Sequence, residues 1–458
     1  MSNGRNGSLR VTSARRQWWP QGLPGQLRTM LIRIGAALAI LLVIGSLAVA
    51  ASALHSRSKQ SEAKQAAGSI AAPRPNAVPA AVAKTGQKSQ AGESRQTGKA
   101  IKATPVGTRL VLVGPQSVVD TRDSRRVAAN AEVSLPLPKL PEGSTAILAE
   151  VSVLNATGAG AVTLTSEAGE ITALQVPGAG AQLTTTVIVR IGPEARLRAR
   201  VEGGGHLVVN LIGAFEPTET SDSGRIIAIS AARALELVPA VDGHDAVVDV
   251  DRVPALSEAG GLSAVLLQVS ADVGRHGGFI QVGPDPKHFK QEFYWSATSG
   301  SDRIRDGFLV VPVTDGQFAV HYKAGFRLRV EVVGYVTDGT APEATAGLVV
   351  PVAPDSIKPV TVGAGTTAQV SIAGKNAEVP ADRIAAAVLN VATKAEKGGG
   401  MNVFAPGTDE KTSAALQVSP DRPRSLVTLV GAQGGAVQLA AETRSIVTLT
   451  PQALILSR

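Results

Sequence analysis

Ser144-Thr145-Ala146-Ile147-Leu148-Ala149-Glu150-Val151-Ser152-Val153 is the stretch whose pattern recurs down the chain. A second version is Leu262-Ser263-Ala264-Val265-Leu266-Leu267-Gln268-Val269-Ser270. A third is Arg383-Ile384-Ala385-Ala386-Ala387-Val388-Leu389-Asn390-Val391. Each is apolar, β-branched and only partly alternating, which predicts a strand that is mostly buried. After each come Gly-rich residues and a second strand: Gly160–Leu164, Gly277–Val282 and Gly400–Phe404. A long apolar strand comes next, at Thr186–Ile191, Gly307–Val313 and Ser425–Val430. The closing strands are Leu207–Phe215, Leu328–Val336 and Ser445–Leu449. Gly213 and Gly334 hold corresponding places in the first two copies, and counting along the third puts Thr450 there.

The repeat is too long for a solenoid coil, so each copy is expected to be a domain. The boundaries are 106–217, 224–339 and 347–458. Short strands separated by Gly, Pro or Asn signal an antiparallel sandwich. The expected class is therefore all-β: three tandem antiparallel β-sandwich, jelly-roll-like domains. Aromatic residues make up only 3% of the chain, so these cores rest on Val, Ile, Leu and Ala. There is no cysteine, which removes disulfides, thiol catalysis and thiolate metal sites.

Working outward, residues 55–105 lack aromatics and hold the Pro-rich run Ala72-Pro73-Arg74-Pro75-Asn76-Ala77-Val78-Pro79. That composition predicts a disordered linker. Ile34–Leu54 holds 21 uncharged residues, and a helix of that length spans about 30 Å, the thickness of a bilayer core. Before it, residues 1–33 carry six Arg and no acid, so the arm is expected to be cytoplasmic. The predicted order is basic arm, one transmembrane helix at 34–54, linker, and three β domains on the outer side of the plasma membrane. The span reads as an uncleaved anchor. Ala48-Val49-Ala50 and Ala51-Ser52-Ala53 also match a small-residue cleavage site.

The formal charge of +8 divides unevenly along the chain. The arm carries +6 and residues 55–109 carry +8, so residues 110–458 hold −6. An acidic folded part argues against nucleic acid as a partner.

Val118-Val119-Asp120-Thr121-Arg122, the strand Ala146–Asn155 and the closing strand Leu207–Phe215 together resemble a known domain. It is the repeat domain of secreted and cell-wall-associated proteins of high-GC Gram-positive bacteria. The resemblance covers about 115–215, extends to 225–338, and in the last copy rests on Val388-Leu389-Asn390-Val391. It implies a surface location and an accessory, non-catalytic role. Asn210 stands where the family pattern closes on Asp, and the Asp-Thr-Arg opening is confined to the first copy.

Two places stand out as candidate ligand sites. Phe293-Tyr294-Trp295 is the aromatic concentration of the β region, and aromatic faces stack on sugar rings. The alternative is that these rings fold onto their own sandwich. Asp120 and Arg122 are suited to clasp a polar ligand, or else to cap a turn and pair with a neighbouring carboxylate. Asp242, His244, Asp245, Asp249 and Asp251 bring oxygen and imidazole together, with Asp249 and Asp251 two apart on an apparent strand. They lack a Gly-punctuated calcium loop, and surface charge is the expected role. His276, Asp285 and His288 flank the loop before the aromatic triplet.

The sequence contains no Gly-x-Ser-x-Gly elbow, phosphate loop, His-Glu-x-x-His or dinucleotide fingerprint. A non-enzymatic protein without cofactor or metal is expected. Its task would be binding or scaffolding for cell-wall glycan or an envelope protein. The alternative function is a hydrolase or transferase of wall polymers.

Overall fold

The inner strands bury both faces, and that feature organises the rest. A computed structural model describes residues 106–457 except 238–242, 258, 274–276, 290, 297–303, 324–326, 374–378, 410–413 and 421–423. The expected basic arm, the Ile34–Leu54 span, the linker, Asp242 and His276 lie outside the described residues. Among those described, no helix is long and apolar enough to cross a membrane. The described chain is all-β, in antiparallel sheets, with three short 3-10 turns.

The first repeat supplies β1 (Thr108–Asp120), β2 (Ala131–Leu135), β3 (Ala146–Leu154), β4 (Gly160–Ser166), β5 (Gly169–Val176), β6 (Leu183–Arg190), β7 (Leu197–Val201) and β8 (His206–Pro217). Their order is β1-β8-β3-β6 in one sheet and β2-β7-β4-β5 in the other. The second repeat supplies β9 (Ser223–Leu237), β10 (His244–Asp249), β11 (Leu262–Asp272), β12 (Gly278–Gly283), β13 (Gln291–Trp295), β14 (Ile304–Pro312), β15 (Gln317–Lys323) and β16 (Arg327–Asp338). The same order returns as β9-β16-β11-β14 and β10-β15-β12-β13.

In the third repeat the opening strand is broken into β17 (Val349–Pro351) and β18 (Val360–Val362). Then come β19 (Thr366–Ser371), β20 (Ile384–Ala395), β21 (Gly399–Phe404), β22 (Ala414–Val418), β23 (Arg424–Gly431), β24 (Ala436–Ala441) and β25 (Ser445–Leu456). Order β17-β25-β20-β23 faces order β19-β24-β21-β22, with β18 also on β25.

The quoted motif is β3, β11 and β20, and each copy carries the same irregularity. The pairing with the closing strand shifts between Leu148 and Ala149, between Leu266 and Leu267, and between Val388 and Leu389. At that bulge Leu148 faces Gly213, Leu266 faces Gly334, and Val388 faces Ala453. The third counterpart is therefore Ala453. Thr450 pairs with Asn390, as Asn210 pairs with Glu150. The spacing is the same in both strands, three residues from Asn210 to Gly213 and from Thr450 to Ala453; counting misses it because Val447, paired with Thr393, and not Ser445 holds the place of Leu207, paired with Val153. Glycine is required at Gly213, where a Cβ would come within 2.6 Å of Leu110 Cδ1 and 2.9 Å of the Val111 carbonyl.

All nine residues of β3 are buried. Successive side chains of a strand point to opposite faces, so both faces of this sheet must be covered. One face meets the outer sheet of its own repeat. The other meets the inner sheets of the other two repeats. A single apolar cluster joins Leu148 and Ile188 to Leu266 and Phe308 of the second repeat and to Val388 and Leu429 of the third. The second and third repeats keep further cores between their own sheets, around Phe318 and Ile280 and around Leu389 and Leu439. Cross-links tie the three together. Thr108 Oγ1 donates to the Val349 carbonyl at 2.7 Å, Thr186 Oγ1 to that of Phe308 at 2.8 Å, and the Ile188 amide to Gln452 Oε1 at 3.0 Å.

Candidate functional site

β13 carries Gln291-Glu292-Phe293-Tyr294-Trp295, and its burial alternates along the strand. Phe293 and Trp295 are each only 3% exposed and join the core of the second repeat. Their ring centroids lie 5.2 Å apart at 53°. Phe293 presses on Gly307 of β14, where a Cβ would fall 2.4 Å from Phe293 Cζ. These two rings fold onto their own sandwich, away from the outward face of β13. Glu292 and Tyr294 point the other way.

That outward pair meets the Asp-Thr-Arg segment of the first repeat. β13 abuts the first repeat at β6, where Trp295 pairs with Leu183, and the Tyr294 amide donates to Thr184 Oγ1 at 3.0 Å. Ser296 Oγ donates to the Gln182 carbonyl at 3.0 Å and accepts from the Gln182 amide at 2.8 Å. With β13 so placed, Arg122 Nη1 donates to Glu292 Oε2 at 2.5 Å and reaches Tyr294 Oη at 3.4 Å. Arg122 Nη2 donates to Asp120 Oδ2 at 2.7 Å, and the Arg122 amide donates to Asp120 Oδ1 at 2.9 Å. Asp120 thus closes its own turn and holds the guanidinium at the same time. Thr121 fixes the turn to β8: its hydroxyl accepts from the Leu207 amide at 2.8 Å. Glu292 also accepts from Gln281 Nε2 at 2.8 Å and from Tyr294 Oη at 2.9 Å. The two sequence candidates, 170 residues apart, therefore form one partly exposed cluster, from which Phe293 and Trp295 are absent.

The charges of the cluster are fixed. The Arg122 hydrogen bond holds the Asp120 carboxyl below its usual range. Burial pushes Glu292 up, but hydrogen bonds from Gln281, Tyr294 and Arg122 outweigh it and hold that carboxyl low as well. Burial and the Glu292 carboxylate push the Tyr294 phenol up to about 12. At neutral pH the cluster holds two carboxylates, one guanidinium and a neutral phenol. It offers acceptors, donors and one aromatic face, and no group poised to exchange a proton near pH 7.

Glu150, on the β3 motif and 1% exposed, is close enough to Glu292 to feel its charge. Asn210 Nδ2 donates to Glu150 Oε1 at 3.0 Å, while Oε2 has no partner. Burial pushes its pKa up to about 7. Gln268 and Asn390 occupy the corresponding places on β11 and β20.

The expected acidic group near 242–251 is dispersed. Asp245 is paired with His321 Nδ1 at 2.7 Å. Asp249 ends β10 and caps the 3-10 turn Val250–Arg252, accepting from the Asp251 amide. Asp251 therefore lies in a turn, not on a strand beside Asp249. Among the described residues no group of three or more His, Asp or Glu is arranged to hold a metal ion. Asp285 pairs with His288 at 2.7 Å within its own turn.

Sequence reasoning missed Glu292, Gln281, Phe279 and His321. Period-two alternation in Glu292-Phe293-Tyr294-Trp295 was a signal that could have separated the outward pair from the inward one. Among the described residues, two of the other concavities lie between repeats. One, of about 460 Å³, is mainly apolar and lined by Ile227, Ile229, Phe404, Leu429 and Ile455. The other, of about 110 Å³, sits where the three repeats meet, beside Trp295, Asp306 and Leu426.

No family model matches the chain, and no curated protein matches it. Several solved structures do. A chain of the Sulfolobus turreted icosahedral virus particle is 9% identical, with a TM-score of 0.15 over 77% of this chain and 91% of that one. A chain of the lipid-containing bacteriophage PM2 is 9% identical, with a TM-score of 0.12 over 73% and 86%. A chain of infectious bursal disease virus, Gx strain, is 10% identical, with a TM-score of 0.14 over 77% and 80%. Likeness at these scores carries no argument about fold or role.

Proposed function

We propose that this is a membrane-anchored, extracytoplasmic binding or scaffold protein of a bacterial envelope. Its three jelly-roll-like domains would present the binding surface outside a membrane anchored by Ile34–Leu54. Wall glycan is the proposed ligand, and the composite cluster of Asp120, Arg122, Glu292 and Tyr294 the proposed contact. One observation carries the reading: two repeats contribute preorganised, partly exposed polar groups around a tyrosine. Such a surface suits recognition of hydroxyl-rich rings. The resemblance to wall-associated repeat domains supports the location, and the basic arm before the span supports the orientation.

The test is co-sedimentation of the purified full chain, in detergent, with purified bacterial wall glycan. Wild type is expected to pellet, and Tyr294→Ala and Arg122→Ala to stay in solution. Failure of wild type to pellet overturns the glycan reading. Trp295→Ala is not a useful probe, because Trp295 is core. Membrane fractionation tests the anchor: release of a mature chain starting near Ala51 or Leu54 overturns it.

A further inference from the structure

The composite cluster is one end of a longer face. The sheet β10-β15-β12-β13 turns Val248, Phe318, Ile280 and Phe293 toward its own core. Its opposite face belongs to the alternate residues. Their register makes a row running across all four strands. Asp245 pairs with His321, His321 with Gln281, and Gln281 with Glu292. Side-chain bonds reinforce the row at both ends, His321 to Asp245 and Gln281 to Glu292. Arg122 and Asp120 then extend it from the first repeat.

Aromatic rings flank the row. The Phe279 ring centroid lies 5.7 Å from that of Tyr294 and 6.4 Å from that of His321. Phe289 lies 5.8 Å from His321 on the other side. Phe279, Phe289, His321 and Tyr294 are all half-buried. Aromatic rings beside a polar row give a sugar both a stacking face and hydroxyl partners. Its polar row carries three carboxylates: Asp245 bonds to His321, and Glu292 and Asp120 share the Arg122 guanidinium.

We infer that this face is an extended subsite for an uncharged linear oligosaccharide, laid across the strands from Asp245–His321 to Arg122. Resting on the proposed glycan function, the inference names the class of glycan. Three strand spacings from β10 to β13 cover about 14 Å, enough for about three pyranose rings in line. Rings stack on Phe279, Phe289 and Tyr294, while hydroxyls meet Asp245, His321, Gln281 and Glu292. Acidic polysaccharides are repelled by the excess of carboxylates.

The experiment is calorimetric titration of the detergent-solubilised full chain with β-1,4-linked N-acetylglucosamine oligomers of increasing length, and with polygalacturonate as the acidic probe. Affinity is expected to rise about tenfold or more between the monosaccharide and the trisaccharide and then level off. His321→Ala and Phe289→Ala should each remove that gain with length, with unfolding midpoints showing that both variants fold. Polygalacturonate should not bind. The inference is overturned if the length gain survives in both variants, if polygalacturonate competes, or if no oligomer binds wild type. In the last case, co-sedimentation with whole wall glycan separates the two claims: pelleting keeps the proposed function, and no pelleting removes both.

Discussion

Glu150→Gln should flatten the pH dependence of the protein's stability. Glu150 sits on the motif strand, 1% exposed, with one oxygen bonded to Asn210 and the other unpartnered. Burial pushes its pKa up from 4.5 to about 7. In the unfolded chain the carboxyl ionises in the usual range. The folded state therefore binds this proton more tightly, and stability is greatest below pH 4.5. It falls as pH rises toward 7 and is level above that. A difference of about 2.5 pK units corresponds to about 3 kcal/mol. Glutamine keeps the acceptor for Asn210 and carries no charge, as Gln268 and Asn390 do in the other repeats. Its amide inherits the unpartnered position, which costs about 1–3 kcal/mol at every pH. The pH dependence, not the absolute value, is thus the informative quantity. The assay is urea unfolding of wild type and variant at pH 5 and pH 8. The advantage of the variant at pH 8 over its value at pH 5 should be about 2–3 kcal/mol, part of the full difference being already lost at pH 5, while titrations of other groups cancel in the comparison. Parallel profiles for the two proteins would show that Glu150 is not a buried, proton-holding acid.

Other outcomes follow from packing and charge. Gly307→Ala should cost about 1–3 kcal/mol, read from the urea midpoint, because its methyl group meets the Phe293 ring. Phe293→Ala should cost about 3–5 kcal/mol, whereas Tyr294→Ala, on the outward face, should shift the midpoint far less and act on glycan binding instead. Glycan binding should hold from neutral pH down through the ordinary carboxylate range. Asp120 and Glu292 keep their charge there because their pKa values are depressed, and binding should fail only at lower pH, as co-sedimentation in acidic buffers will show.

Much of the strand architecture was legible because the motif is local. Ala146–Leu154, Leu262–Asp272 and Ile384–Ala395 each announce a buried strand through β-branched runs between turns. What covers their second face was not legible. An apolar run states that both faces are buried, but not that Leu148 meets the second and third repeats. The bulge behind Gly213, Gly334 and Ala453 also hides from residue counting, because it moves the register without a marker residue. At the site, Asp120 and Arg122 were visible as a turn motif, with both the capping and the pairing open. Their partner Glu292 was not, since nothing in a sequence ties residue 122 to residue 292. The aromatic triplet was found as a cluster, although only Tyr294 faces outward.

The central claim is that Asp120–Arg122 and Glu292–Tyr294 form one ligand surface across two repeats. The most direct measurement is a double-mutant cycle on glycan affinity with Arg122→Ala, Tyr294→Ala and the pair. The prediction is that each single variant loses about tenfold or more, and that the double loses clearly less than the product of the two, as expected for groups sharing one ligand. Wild-type affinity in both single variants, with wild type itself binding, would contradict it.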